Sequence, residues 1–220
     1  MSCIAAPSGA LNIDVIELPA GTLLHQLFSA NYPAGGFHPG TGAGLGGLAR
    51  PTRFAPIMRT PPPGPVPYLY AGGTLQCAIF ETIFHDLDFR ATNPSLRLTP
   101  FNDKAHCELS FHRPLRLARL HGTGLKRIRA ERVDLIESLP PCYGATACWA
   151  QAIYDQDPHI DGLVWRSRRL DDQDSYVLFG DRVTNSDYTG RAASGPILSD
   201  SKFRALVFQE ALMVDILLLP

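Results

Sequence analysis

The chain has no surplus of either charge. Its 20 Lys and Arg are balanced by 21 Asp and Glu, a formal net charge of −1, so no basic footprint points to nucleic acid or an anionic membrane. It has no apolar run near the ~18 residues of a membrane span. The longest candidates, 205–208 and 212–219, are interrupted by Gln209-Glu210 and by Asp215. The opening MSCIAAPSGALNIDVIELPAG has no basic segment ahead of an apolar one, so no secretory signal is expected. The five cysteines are odd in number and irregularly spaced. They predict free thiols in a reducing compartment, and hence a cytoplasmic location, rather than a disulfide framework. Phosphate-loop motifs are missing: there is no G-x-x-x-x-G-K-[ST] and no strand–G-x-G-x-x-G–helix unit. Metal motifs are missing too. His106 and His112 on one predicted strand would point the same way but stand roughly 20 Å apart, and no C-x-x-C or H-E-x-x-H pair accompanies them, so no metal is expected. Asp171-Asp172-x-Asp174 lacks the Gly and the distal Glu of a calcium loop and reads as a solvated turn.

What is present fits one ordinary globular domain. With 220 residues, 45% of them apolar, the chain can bury a full core. Residues 1–20 read as a lead-in, with Ile13, Val15 and Ile16 able to form a short strand, and 21–220 as the domain proper. Leu23 to Phe28 is the first strand. Residues 31–64 are rich in Gly and Pro, and a loop of that length is usually functional or mobile. The stretch from Tyr68 to Asp86 organises the rest. Tyr68-Leu69-Tyr70-Ala71 is a strand, Gly72-Gly73 a turn, and Thr74 a natural N-cap for a helix with Leu75, Ala78, Ile79 and Ile83 on its apolar side. Strands follow at 105–111, 114–120, 161–167 and 176–179, with a polar helix or turn pair at 125–139 and a helix at 143–154. Residues 183–201 read as turns. Residues 203–219 close the chain as strands, or as a strand and a helix. The fold class is α+β, a single domain with a bent, mostly antiparallel sheet.

Glu81 lies among Ile79, Phe80, Ile83 and Phe84. An ionised carboxylate in such company must face solvent or a polar cleft. Arg53 and Ser167, from distant stretches, are candidate partners, and Tyr70 lies on the strand ahead of the helix. A guanidinium grips phosphate oxygens bidentately, a Tyr ring stacks on a base, and a carboxylate supports an oxocarbenium-like centre in sugar C–O or C–N cleavage. The basic run Arg166, Arg168, Arg169 either assists a pyrophosphate ligand or pairs with the nearby acidic turn. His85-Asp86 reads as a local pair at the helix end, and no catalytic partner can be named for Cys148.

FHPG at 37–40, RFAPI at 53–57, YAGGTLQCAIFETIFHD from Tyr70, YGATACWA from Tyr143 and DGLVWRSRR with VLFGDRV to Val183 together resemble the RES domain family. Its members are NAD-consuming toxins of bacterial toxin–antitoxin pairs, with a fold related to ADP-ribosyltransferases. The resemblance implies that Arg53 grips the NAD pyrophosphate, Tyr70 packs on the nicotinamide side, Glu81 supports the ribosyl cation and the nucleophile, and Ser167 completes the site. It implies an NAD phosphorylase or glycohydrolase with phosphate or water as co-substrate, NAD as substrate and no cofactor, and a helix-turn-helix antitoxin as partner. Neither membrane nor direct nucleic-acid binding is implied. A macromolecular ADP-ribosyltransferase and an impaired NAD-binding module are the alternatives. The resemblance departs at Gln26, which stands where the family carries an arginine in its first strand; Gln26 would then give one uncharged substrate contact, or Arg50 or Arg59 would replace the missing charge.

Overall fold

The computed structural model describes residues 3–219. In chain order the strands are β1 (Val15–Leu18), β2 (Leu23–Ser29), β3 (Met58–Arg59), β4 (Gly64–Pro65), β5 (Tyr68–Gly72), β6 (Ser95–Arg97), β7 (Lys104–Phe111), β8 (Leu115–Arg119), β9 (Gly162–Arg166), β10 (Asp174–Phe179), β11 (Tyr188–Ala192) and β12 (Leu217–Leu219). The helices are α1 (Leu75–Thr82), α2 (Thr123–Arg127), α3 (Arg132–Leu135), α4 (Tyr143–Gln156) and α5 (Ser201–Leu212). Eight strands form one sheet in the order β1-β8-β9-β10-β5-β2-β7-β11, and every neighbouring pair is antiparallel except β8–β9. The α+β class and the bent, mostly antiparallel sheet are those read from the sequence.

Strand alternation divides the sheet into two faces. One face is concave. Leu18, Leu117, Val164, Leu178, Leu69, Leu24, Leu109 and Tyr188, one from each of the eight strands, meet there in a single apolar cluster, which requires the sheet to curl upon itself. The outer face carries the helices. Trp149, Ala150 and Ile153 of α4 cover Tyr68, Leu163, Trp165 and Val177. Beside them, Ile79 and Phe80 of α1 pack with Phe203, Val207 and Ala211 of α5.

Two features differ from the sequence reading, and a choice it left open at the closing stretch is resolved. The stretch 183–201 holds the edge strand β11, in which only Tyr188 is buried. Its backbone ladder to β7 makes it a strand without an alternating apolar signal. The closing stretch resolves into α5, whose N-cap Asp200 accepts from the amides of Lys202 and Phe203 at 3.0 Å, and then the short β12. Two of the thiols expected to be free are joined, Cys3 to Cys142. A bond between residues 139 apart in sequence leaves no mark in local spacing. Cys77 and Cys107 are buried free thiols and Cys148 an exposed one. The N-terminal segment is further tied down by the Trp149 indole, which donates to Ala5 O at 2.9 Å, and it supplies β1 to the sheet edge. Among the described residues no helix is long and apolar enough to cross a membrane.

Candidate active site

The site begins with the turn after β5. A Cβ on Gly72 would lie 2.7 Å from the backbone nitrogen of Ala78, so only glycine lets α1 fold back this closely. Thr74 caps the helix as expected, its hydroxyl accepting from Cys77 N at 3.0 Å. Cys77, Ala78, Ile79 and Phe80 are buried, and the helix lies over β5 and β2 with Glu81 in its last turn. The Glu81 carboxylate is only partly exposed, at 14%.

Ser167 reaches the same point from β9. Trp165 faces outward into the α4 layer, so by alternation Ser167 does too. Its hydroxyl, fully buried, donates to Glu81 Oε1 at 2.5 Å. The same oxygen accepts from the backbone amides of Arg168 at 2.7 Å and Arg169 at 3.4 Å. The Ser167 oxygen in turn accepts from the amides of Arg169 and Leu170 at 3.0 Å. One carboxylate oxygen is thus fixed by three donors, and the other is left for what lies in front of it.

Arg53 lies in front. Its Nη1 is 3.7 Å from Glu81 Oε2, an ion-pair distance but longer than a hydrogen bond. The guanidinium is 4% exposed, and its Nε and Nη2 have no hydrogen-bond partner among the described residues. The loop that carries it is anchored on every side. Phe54 packs edge-on to Trp165 with ring centres 5.0 Å apart, Thr52 N donates to Ala55 O at 2.8 Å, and the Thr146 hydroxyl of α4 donates to Arg53 O. Tyr70 acts on this loop. Its phenol oxygen accepts from Phe54 N at 3.0 Å and bonds the Thr52 hydroxyl at 3.0 Å, bracketing Arg53 from both neighbours. Burial pushes this phenol well above its ordinary pKa.

Gln26 stands apart from these four. Its neighbours His25 and Leu27 face outward, in register with Gly72 and His106, so alternation turns Gln26 into the concave face. There its amide donates to Gly36 O at 3.2 Å and its carbonyl oxygen is buried without a partner among the described residues. Arg50 is exposed, and Arg59 lies on β3 with a buried Nε that has no partner among the described residues.

Sequence reasoning missed the residues that complete the surroundings. The Arg53 guanidinium lies 5.6 Å from the centre of the Tyr143 ring, within cation–π range. The Tyr143 hydroxyl bonds His85 Nε2 at 3.0 Å, and His85 Nδ1 bonds Asp86 at 2.7 Å. Burial, and then the Arg53 charge, hold His85 below the ordinary imidazole pKa. Arg169 closes the end of α1, with Nε donating to His85 O at 2.9 Å and Nη2 to Leu87 O at 2.9 Å. Arg166 is the member of the basic run that meets the acidic turn, 3.4 Å from Asp174. Two open cavities, of about 740 and 600 Å³, lie elsewhere and include none of Arg53, Glu81 or Ser167 in their walls. The Arg53 guanidinium is buried, while the Glu81 carboxylate keeps some exposure.

An oriented carboxylate, a buried guanidinium and a seryl hydroxyl are thus brought together on the outside of a curled α+β sheet. The chain belongs to the RES domain family, whose model matches residues 23–195. A chain in the crystal structure of the M. tuberculosis MbcT–MbcA toxin–antitoxin complex is similar in fold, with a TM-score of 0.53 over 82% of this chain and 85% of that one at 13% identity. The likeness is one of fold, a mixed α+β domain. Comparison of the sequence with curated proteins gives no match.

Proposed function

We propose that this chain breaks the nicotinamide–ribose bond of NAD, by phosphorolysis or hydrolysis, as the toxin of a toxin–antitoxin pair. The observation that carries the reading is the state of Arg53: a buried guanidinium, 3.7 Å from a carboxylate, whose Nε and Nη2 have no hydrogen-bond partner among the described residues. Leaving such donors unmade costs about 1–3 kcal/mol each, a cost that a pyrophosphate oxygen pair would offset bidentately. Glu81, with Oε1 fixed, presents Oε2 to the carbon where positive charge develops as the C–N bond breaks. The bonding pair leaves with nicotinamide and neutralises its ring charge, so no strong acid is needed. An oxygen of water or phosphate then bonds the anomeric carbon, with Glu81 orienting the nucleophile. Ser167 holds the carboxylate, and Tyr70 acts through the Thr52–Phe54 loop, so its loss would act by way of Arg53.

NAD binding is assigned to residues 21–220, without a metal or organic cofactor. The proposed partner is a helix-turn-helix antitoxin, and the proposed location is the cytoplasm. The test is NAD consumption by the purified chain, with products identified with and without inorganic phosphate. Ribose 1-phosphate chemistry in the product means phosphorolysis, and free ADP-ribose means hydrolysis. Label from NAD appearing on a protein or nucleic acid means transfer. Binding without turnover at any phosphate concentration would overturn the reading in favour of a binding module.

A further inference from the structure

Away from the Arg53–Glu81 pair, the outer face of β2 and β7 carries a second cluster of ligating groups. His25 is in register with Glu108, and Leu27 with His106. The two-residue repeat therefore brings both imidazoles and the carboxylate to one side. His25 Nδ1 and His106 Nε2 are 2.9 Å apart, and one ligand atom from each of the three residues lies within 4.8 Å of the others. We propose that His25, His106 and Glu108 form a binding site for a divalent transition ion of the zinc class.

The geometry suits that ion. Donors at roughly 2.0–2.2 Å from a tetrahedral zinc stand about 3.3–3.6 Å from one another, so the imidazoles need part by only some tenths of an ångström. Two imidazoles and one carboxylate favour zinc-type ions over calcium or magnesium, which prefer oxygen. The ligands sit on paired strands rather than on a loop. His106 is held in place by Phe203, with ring centres 6.2 Å apart, and by its backbone amide, which donates to Ser194 Oγ at 2.9 Å. His25 and Glu108 are half-buried, which leaves an entry path and a fourth position for water. The competitor is Arg191 of β11, bonded to Glu108 and 72% exposed. An exposed ion pair of that kind is weak, and an entering ion displaces it. His25 is also in register with Gly72, so a bound ion would clamp β2 to β7 beside the start of α1.

The test is calorimetric titration of the metal-stripped, full-length chain with Zn²⁺, together with Co²⁺ absorption as a report on geometry. One equivalent is expected, with a rise in thermal midpoint and a four-coordinate cobalt spectrum. His25→Gln and His106→Gln should each weaken binding by more than the roughly 10- to 100-fold typical of losing an outer-shell partner, and Glu108→Gln by at least about tenfold. Cys148→Ser and His112→Gln should leave the titration unchanged. Arg191→Ala, which disturbs no buried group, should tighten binding roughly threefold or more. Absence of uptake by the parent chain, an undiminished His25→Gln titration, loss of uptake in Cys148→Ser or His112→Gln, or unchanged or weaker binding in Arg191→Ala would each overturn the assignment.

Discussion

The two faces of the sheet use the same strands to opposite ends. On the concave face the sheet meets itself, and its eight strands close a single apolar cluster. The polar Gln26 is admitted there only by bonding Gly36 O. On the outer face the sheet meets helices and the Gly/Pro loop, and there it holds Arg53, Glu81 and Ser167 within ion-pair and hydrogen-bond distance. A self-facing surface can be filled by apolar side chains. A surface facing separate elements leaves a seam, and the seam between α1, α4 and the 50–57 loop holds the buried Arg53 charge. The predictions below set one face against the other, from the largest expected effect to the smallest.

Glu81→Gln keeps an oxygen for the three donors but removes the charge. NAD turnover should fall roughly 100-fold or more, while the thermal midpoint stays within a degree or two of the parent; a variant that turns over NAD normally would remove the carboxylate from the mechanism. Gln26→Arg tests the other face. If a charge at this position served substrate, turnover would rise. The concave placement instead predicts no gain, and a loss of stability of about 2 kcal/mol or more from an unpaired buried cation, readable by denaturant melts. Ser167→Ala strands the amides of Arg169 and Leu170 and frees the carboxylate. A loss of about 1–2 kcal/mol in stability is expected, together with reduced turnover, and reduced turnover without destabilisation would mean that the hydroxyl touches substrate instead.

The smallest effect is the pH response of His85. Its folded pKa lies below the ordinary value because burial and Arg53 disfavour the imidazolium. The unfolded chain therefore binds more protons than the folded one once pH falls below about 6.5. Stability should be level above that pH and should decline below it, down towards the folded pKa. His85→Gln should lessen the decline, and a variant with the parent's slope would exclude His85 as its source.

Much of the outer site was legible. Thr74, Gly72 and the apolar spacing from Leu75 to Ile83 announce a capped helix after a tight turn, and a carboxylate among phenylalanines demands a polar neighbour. The resemblance of RFAPI and DGLVWRS to a known family supplies the two stretches to look for. Tyr143 and His85 were not legible, since neither carries a local signal of meeting Arg53. The inward aim of Gln26 was hidden for a different reason. Alternation fixes that Gln26 and His25 point opposite ways, but not which of them meets the helices, and that choice came from the register of His25 with Gly72.

By itself, then, the amino-acid order determined the elements whose periodicity is local: strands at β2, β5, β7 and β10, the helix from Leu75, and the residue types an anionic ligand would need. Tertiary structure decided the contacts between residues far apart in the chain. It put Ser167 on Glu81 across 86 residues, His106 beside His25 across 81, and Cys3 on Cys142 across 139. The physical reason is that propensity and capping act over one or two turns of chain, whereas these pairings follow from how a curled sheet and its helices bury apolar surface together.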